Sequence, residues 1–416
     1  MSGRNISAVF ILLLAAFAVI PFCAPVRAAA QTETVLFNFQ YDFNYDVGFS
    51  PLANLTFDSA GNLYGTNFLG GVDDRGTAYE LSPGAGGIWT ATVLHDFGTI
   101  DDDGNRPTST LAFDSAGNLY GTCTGGGSAT NGTVFQIKPG AGGTWSERTI
   151  YSFGHRTTKD GWDPNGQVTL DSSHHLFGTT IQGGGLQEVG IVFELTPEAS
   201  GIWSETKPYV FGENPAVGAP TYVGVILDSA GNLYGSSFET ADGGGGAVYK
   251  LSPASGGGWT SSALHTFGSG TDGANPGAIV FGPGGAIFGA TYAGGTYGGG
   301  TIFELTPNAG GGWSETILHS FGNGSDGSSP FYAPVIDAAG NVYGSTEAGG
   351  TAGVGIVFQL TPSHGAWTET ILHNFTSDGT DGYSPNGLTL GADGNLYGTT
   401  PYGGIYGGGT VFEITP

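Results

Sequence analysis

Basic side chains are scarce in this chain. Ten Lys and Arg stand against 35 Asp and Glu over 416 residues, a formal charge of −25. Such a surface repels phosphate backbones and anionic headgroups, which excludes nucleic acid and acidic lipid as partners and leaves neutral glycans, cations or proteins. Cysteine is almost missing: Cys23 and Cys123 are the two present. With so few thiols there is no disulfide framework, and the fold has to be held by packing. Past residue 22 no apolar run approaches the length that crosses a bilayer. Catalytic signatures are missing too. There is no His-Glu-x-x-His, no Gly-x-Ser-x-Gly elbow, and no Gly-Lys-(Ser/Thr) after glycine runs such as Gly298-Gly299-Gly300. Carboxylate pairs are plentiful, but spacing alone gives none of them a catalytic geometry.

Glycine is abundant, with 79 residues, and so is repetition. Aromatic-glycine pairs fall at Tyr64-Gly65, Tyr120-Gly121, Phe177-Gly178, Tyr234-Gly235, Phe288-Gly289, Tyr343-Gly344 and Tyr397-Gly398, at intervals of 54 to 57 residues. Each period reads as four short strands, a to d, punctuated by Gly, Pro, Asn and Asp clusters. Strands a, b and c occur seven times. Trp-led d strands occur six times, at Trp89, Trp145, Trp203, Trp259, Trp313 and Trp367, and the chain stops at Pro416 after the seventh c strand. The missing d strand is at the other end, where Glu33-Thr34-Val35-Leu36-Phe37-Asn38-Phe39 matches Glu369-Thr370-Ile371-Leu372-His373-Asn374-Phe375. Complementary fragments at the two termini predict a closed ring: an all-β, seven-bladed β-propeller with four antiparallel strands per blade, its N-terminal strand completing the last blade. Pro208 in a d strand makes d the outer edge, where a missing N–H faces no neighbour.

Residues 1–30 read as a secretory signal peptide, with Arg4, an apolar stretch from Ala8 to Phe22 and a small-residue site at Ala28-Ala29-Ala30. Residues 31–416 then form one propeller domain, expected as a monomer that is secreted, periplasmic or extracellular. No stable membrane insertion is expected after cleavage. Phe22 before Cys23 argues against a lipoprotein anchor there. The Gly-Asn-Leu-Tyr-Gly-Thr, Gly-Thr-Val-Phe-Glu-Leu-Thr-Pro and Thr-Ile-Leu-His-Ser-Phe phrases resemble the GloVer tandem repeat. That resemblance implies an exported bacterial protein of unassigned biochemical role, in a group with differing C-terminal anchors; none is visible in this chain. The layout of Tyr, diglycine and Trp is similar, more distantly, to kelch propellers.

Histidine invites a metal reading, but the ring position of the d strand is filled by Phe37, His95, Tyr151, Tyr209, His265, His319 and His373, and alternation puts it on one face with Trp, Glu or Ala, Ile or Val, and Phe. A ligand is not replaced by Phe, so packing is the expected role. His174-His175 stands where other a–b turns have Gly-Asn, a site for positive φ. Turn aspartates such as Asp58 are matched by Gly282 and Gly391 in two repeats, so the carboxylate reads as dispensable there. The Asp-Gly-x-x-Pro loops at Asp103, Asp160, Asp272, Asp326 and Asp381 were weighed for calcium and read as turns. The glycine of each Tyr-Gly pair reads as a point of close approach by a neighbouring sheet. No cofactor and no metal site is expected.

A ring of near copies acquires an individual site where symmetry breaks. The d–a and b–c loops share one face, and there Gln40–Asp46 brings Tyr41, Phe43 and Tyr45, while 155–163 brings His155, Lys159, Trp162 and Asp163. Tyr297, Tyr383 and Tyr406 add exposed rings to the same face. Aromatic faces beside carboxylates suit sugar rings. The expected function is a binding module for glycan or protein, against a polysaccharide-acting enzyme using loop carboxylates or an adhesive surface protein.

Overall fold

The computed structural model describes residues 32–42, 47–154, 160–185, 189–220, 222–240, 243–268 and 270–416. It forms seven small antiparallel sheets arranged as the blades of a propeller. In blade 3 the four strands are Gly161–Leu170, Leu176–Gly183, Ile191–Pro197 and Trp203–Val210, hydrogen-bonded in that order. The d strand lies at the edge, as Pro208 requires. Strand a begins earlier than the sequence indicates and in most blades is broken, as in Phe49–Pro51 and Thr56–Phe57 of blade 1. Strand Thr32–Gln40 pairs antiparallel with Gly407–Thr415, with Val35 opposite Phe412, so the two ends of the chain share the last blade.

The glycine of the Tyr-Gly pair has a different neighbour from the one expected. Gly65 lies opposite Tyr79 of strand c in its own blade, and a Cβ on Gly65 would sit 2.4 Å from the Tyr79 hydroxyl. Phe135, Phe193, Tyr249, Phe303, Phe358 and Phe412 occupy the same place over Gly121, Gly178, Gly235, Gly289, Gly344 and Gly398. The approach is therefore made by a ring within the sheet. These seven rings are among the most buried side chains of the protein, at 0–1 % exposure.

A bulge in every d strand changes which face its residues show. Ala78 pairs with His95 and Tyr79 with Val93, leaving Leu94 as the extra residue; Ile150, Leu264, Leu318, Leu372 and Leu36 repeat the arrangement. The side chains before the bulge face the preceding blade and those after it face the following one. Trp145 packs with Leu94, Phe97 and Phe135 at the first seam, whereas Ile150, Tyr151 and Phe153 pack with Phe193 and Trp203 at the second. The single face inferred from alternation is thus split in two, and the consecutive apolar pair in Thr-Ile-Leu-His is its trace in the sequence. Each of the seven hydrophobic clusters fills one seam between blades.

The hydroxyl of Tyr79 is buried with no hydrogen-bond partner, at a position where five blades carry Phe. Removing an unsatisfied buried group recovers its desolvation penalty. Tyr79→Phe is expected to stabilise the fold by about 1 kcal/mol, read as a higher urea midpoint at unchanged slope.

Candidate functional site

The seams account for most of the repeated phrase. On the inner side the hydroxyl after Tyr-Gly donates to strand a of the next blade: Thr66 to the Ser109 carbonyl, Thr122 to Gly166, Thr179 to Val223, Ser236 to Gly277, Ser345 to Asn386 and Thr399 to Ala53. Blade 5 has Ala290 instead, and there the Ala278 N–H bonds the Phe331 carbonyl. On the loop face each Asp-Gly-x-x-Pro segment clamps the blade before it. Arg106 N–H donates to the Arg75 carbonyl at 2.7 Å, and Asp163, Asn275, Ser329 and Ser384 repeat the bond to Asn131, Gly245, Gly299 and Val354. The adjoining proline lies on a glycine of that blade; a Cβ on Gly76 would be 2.5 Å from Pro107 Cδ, and Gly132 meets Pro164 in the same way. The residue before the proline is driven to positive φ in six blades, at Ser50, Arg106, Asp163, Asn275, Ser329 and Ser384.

The same loop carries an ion-pair cluster that sequence spacing had left in separate pieces. His95 Nε2 is 3.0 Å from Asp103 Oδ2 and 3.8 Å from Glu147 Oε2, bringing together a d strand, the loop after it and the next blade's d strand. His265–Asp272–Glu315, His319–Asp326–Glu369 and His373–Asp381–Glu33 repeat this juxtaposition. The His rings also pack as expected, edge-on to Phe97, Phe267, Phe321 and Phe375. Asp103 is occupied by the protein, since Oδ2 accepts the Gly98 N–H and Oδ1 the Gly104 N–H.

The four clusters have metal-ligand composition, with ligand atoms within 4.8 Å of one another, and the other three seams vary that composition together. Where Tyr151 replaces His beside Asp160 and Glu205, Lys207 appears two residues on and pairs with Glu205 at 2.7 Å. Where the glutamate gives way to Ser261, the neighbours are Tyr209 and Asn214, all neutral. Where it gives way to Ala91, the ring is Phe37. Glutamate and a basic side chain, His or Lys, occur together or not at all. A buried carboxyl is costly to ionise, and a basic neighbour reduces that cost.

Burial raises the seam carboxyls, to about 7 for Glu33, Glu205, Glu315 and Glu369 and to about 8 for Glu147. His265 is raised as well: burial pushes it down, and the bond to Asp272 together with Glu315 outweighs that. All of these groups hold protons in the fold that the unfolded chain releases, so their contribution is complete at low pH and is lost as pH rises through the folded values. The a–b turns act in the opposite sense. Asp58 is pushed up by burial but held below its ordinary value by the Asn62 backbone and amide, the Ala60 N–H and the Tyr64 hydroxyl, and Asp114, Asp228 and Asp337 repeat the network.

The turn carboxylates accept backbone amides of their own turns, as at Ala60 and Asn62 on Asp58, and add the tyrosine hydroxyl where one is present. In the last blade Asp393 bonds the Tyr397 hydroxyl in place of the residue missing at Gly391, and the blade with Gly282 has Phe288, which has no hydroxyl to bond. His174 takes φ 65°, as its place in the turn demands, and His175 bonds Asp171 at 3.2 Å.

Of the residues singled out on the loop face, Phe43, Tyr45, His155 and Lys159 lie outside the described residues. The rest fall into separate patches. Tyr41 N–H bonds the Tyr406 carbonyl at 3.1 Å, and its ring lies against Phe49. Tyr383 stacks on Tyr402 with centroids 5.4 Å apart. Tyr297 borders the crevice beside His319. Trp162 and Asp163 line a groove of about 550 Å³ with Phe68, Asn105, Arg106 and Gln182, drawn from the first three blades. The Trp162 indole N–H is buried there with no hydrogen-bond partner among the described residues. Sequence reasoning missed Phe68, Arg106 and Gln182; a cation in the variable pair of an Asp-Gly-x-x-Pro loop was the signal for Arg106.

Stability is expected to rise as pH is lowered from about 8 to about 5, because the seam carboxyls and His265 gain protons in the fold, and to fall below about 4 as the four turn aspartates protonate. Denaturant midpoints across that range measure it, and Glu147→Gln should flatten the upper limb. A profile constant from pH 5 to 8 would overturn the seam assignment. A second measurement tests the contact: His95→Leu and Glu147→Leu are expected to couple, the double substitution costing less than the sum of the two single ones.

The Gloeobacter/Verrucomicrobia repeat matches residues 27–220 and 311–416. No curated protein matches the chain. Among solved structures it is similar to PorZ, a surface component of the type IX secretion system of Porphyromonas gingivalis, with 16 % identity and a TM-score of 0.52 over 91 % of this chain and 48 % of that one. The chain thus spans about half the length of PorZ. A protein of unknown function from Dyadobacter fermentans aligns at 13 % identity and a TM-score of 0.44, over 92 % of this chain and 98 % of that one. At such identities the likeness is one of fold. With the repeat matching on both sides of the ring, the chain belongs to the Gloeobacter/Verrucomicrobia repeat family.

Proposed function

We propose that the protein is an exported binding module that takes a glycan on its d–a/b–c loop face, with the Trp162 groove as the contact surface. The observation that carries this reading is the groove itself, in which Trp162 and Phe68 lie beside Asn105, Arg106, Asp163 and Gln182. Aromatic side chains ringed by amide, guanidinium and carboxylate groups offer stacking and directional hydrogen bonds to a sugar ring. The repeat supports the same reading. Asp-Gly and Pro are consumed by the seam, while the two residues between them differ from blade to blade, from Asn105-Arg106 to Trp162-Asp163 and Tyr383-Ser384.

Export rests on the signal-like residues 1–30, and an acidic surface makes nucleic acid a poor partner. Glycan-array screening followed by calorimetry tests the proposal. Binding to at least one neutral or basic polysaccharide is expected, weakened tenfold or more by Trp162→Ala and by Arg106→Ala with the melting curve unchanged. Binding that survives both substitutions, or an array with no signal, would sink it.

A further inference from the structure

The middle of strand a in six blades lines an axial cavity of about 270 Å³. Its wall is divided. Asn54, Thr108, Thr110, Asn165 and Gln167 from blades 1 to 3 supply amides and hydroxyls, and Tyr222, Phe331 and Tyr332 from blades 4 and 6 supply rings. These rings are departures from the repeat, since the residues after Pro107, Pro164, Pro276 and Pro385 are small or polar. The amide of Gln167 is exposed on the opposite wall, beside Asn165 and Thr110. Exposed amides and hydroxyls facing rings across a cavity supply hydrogen bonds and a stacking surface to one occupant.

Charge defines the partner further. The chain carries 35 carboxylates, yet no Asp, Glu, Lys, Arg or His lines the cavity. A cation entering it would lose water and meet no counter-ion, and an anion would also face the net negative field. The volume lies just below the ~300–1,000 Å³ of sites for drug-sized ligands, which limits the occupant to one or two small rings. We infer that the axial cavity is a binding site for a small uncharged polyol of mono- or disaccharide size, stacked on Tyr222, Phe331 or Tyr332 and hydrogen-bonded by Thr110, Asn165 and Gln167. The site is separate from the Trp162 groove and does not depend on it.

Saturation-transfer NMR and calorimetry on the full propeller test the inference with glucose, galactose, maltose and cellobiose, and with glucuronate and glucosamine as charged counterparts. At least one neutral sugar is expected to bind, with the charged counterparts tenfold or more weaker. Tyr222→Ala and Gln167→Ala should each lower the affinity by about tenfold at an unchanged melting temperature, because Tyr222 is 53 % exposed and Gln167 is exposed as well. Trp162→Ala should leave this binding intact, which separates it from the groove. No binding by any neutral sugar at millimolar concentration, equal affinity for the charged forms, or insensitivity to both substitutions would each overturn it.

Discussion

The structure depends on the junction between one blade and the next. A four-stranded sheet of this size has two apolar faces and little core of its own, so it becomes stable only when both are covered by neighbours. Most seams are closed at three depths. A hydroxyl reaches across near the axis, rings interleave in the middle, and a proline seated on glycine closes the loop face. The bulge at Leu94 and its counterparts makes this continuous, because one d strand then presents Trp toward the preceding blade and Phe toward the following one.

Viewed through the seams, the repeated phrase is mostly architecture. Thr of Tyr-Gly-Thr, Asp and Pro of the loop, and Glu, His and Trp of the d strand all have partners in an adjacent blade. The His, Asp and Glu cluster recurs at four seams and joins neighbouring blades at each. What remains for recognition is the material the seams do not consume, namely the variable pair before each proline and the residues that follow it.

Strand count, ring closure and the edge position of d were legible because they follow from period, from the matching fragments around Val35 and Ile371, and from Pro208. The partners of individual side chains were not. Alternation put Glu147 and Tyr151 on one face, and one extra residue in the ladder reversed it, a local event that periodicity averages away. Asp103 and His95 are eight residues apart and were read separately, since nothing in one repeat shows that a third group arrives from the next. Trp162 stood out by composition, as the tryptophan outside the d strands. Phe68, Arg106 and Gln182 did not, because their meeting depends on three blades at once.

The pairing of Thr32–Gln40 with Gly407–Thr415 also has a kinetic side. Thr32–Gln40 has no partner until Gly407–Thr415 has been made, and the contacts that close the ring join residues more than 330 positions apart. Contacts of such separation are slow to form. Six blades can assemble in turn on their predecessors, while the seventh waits with an open edge. The vulnerable species in the life of this protein is therefore the nearly finished crescent.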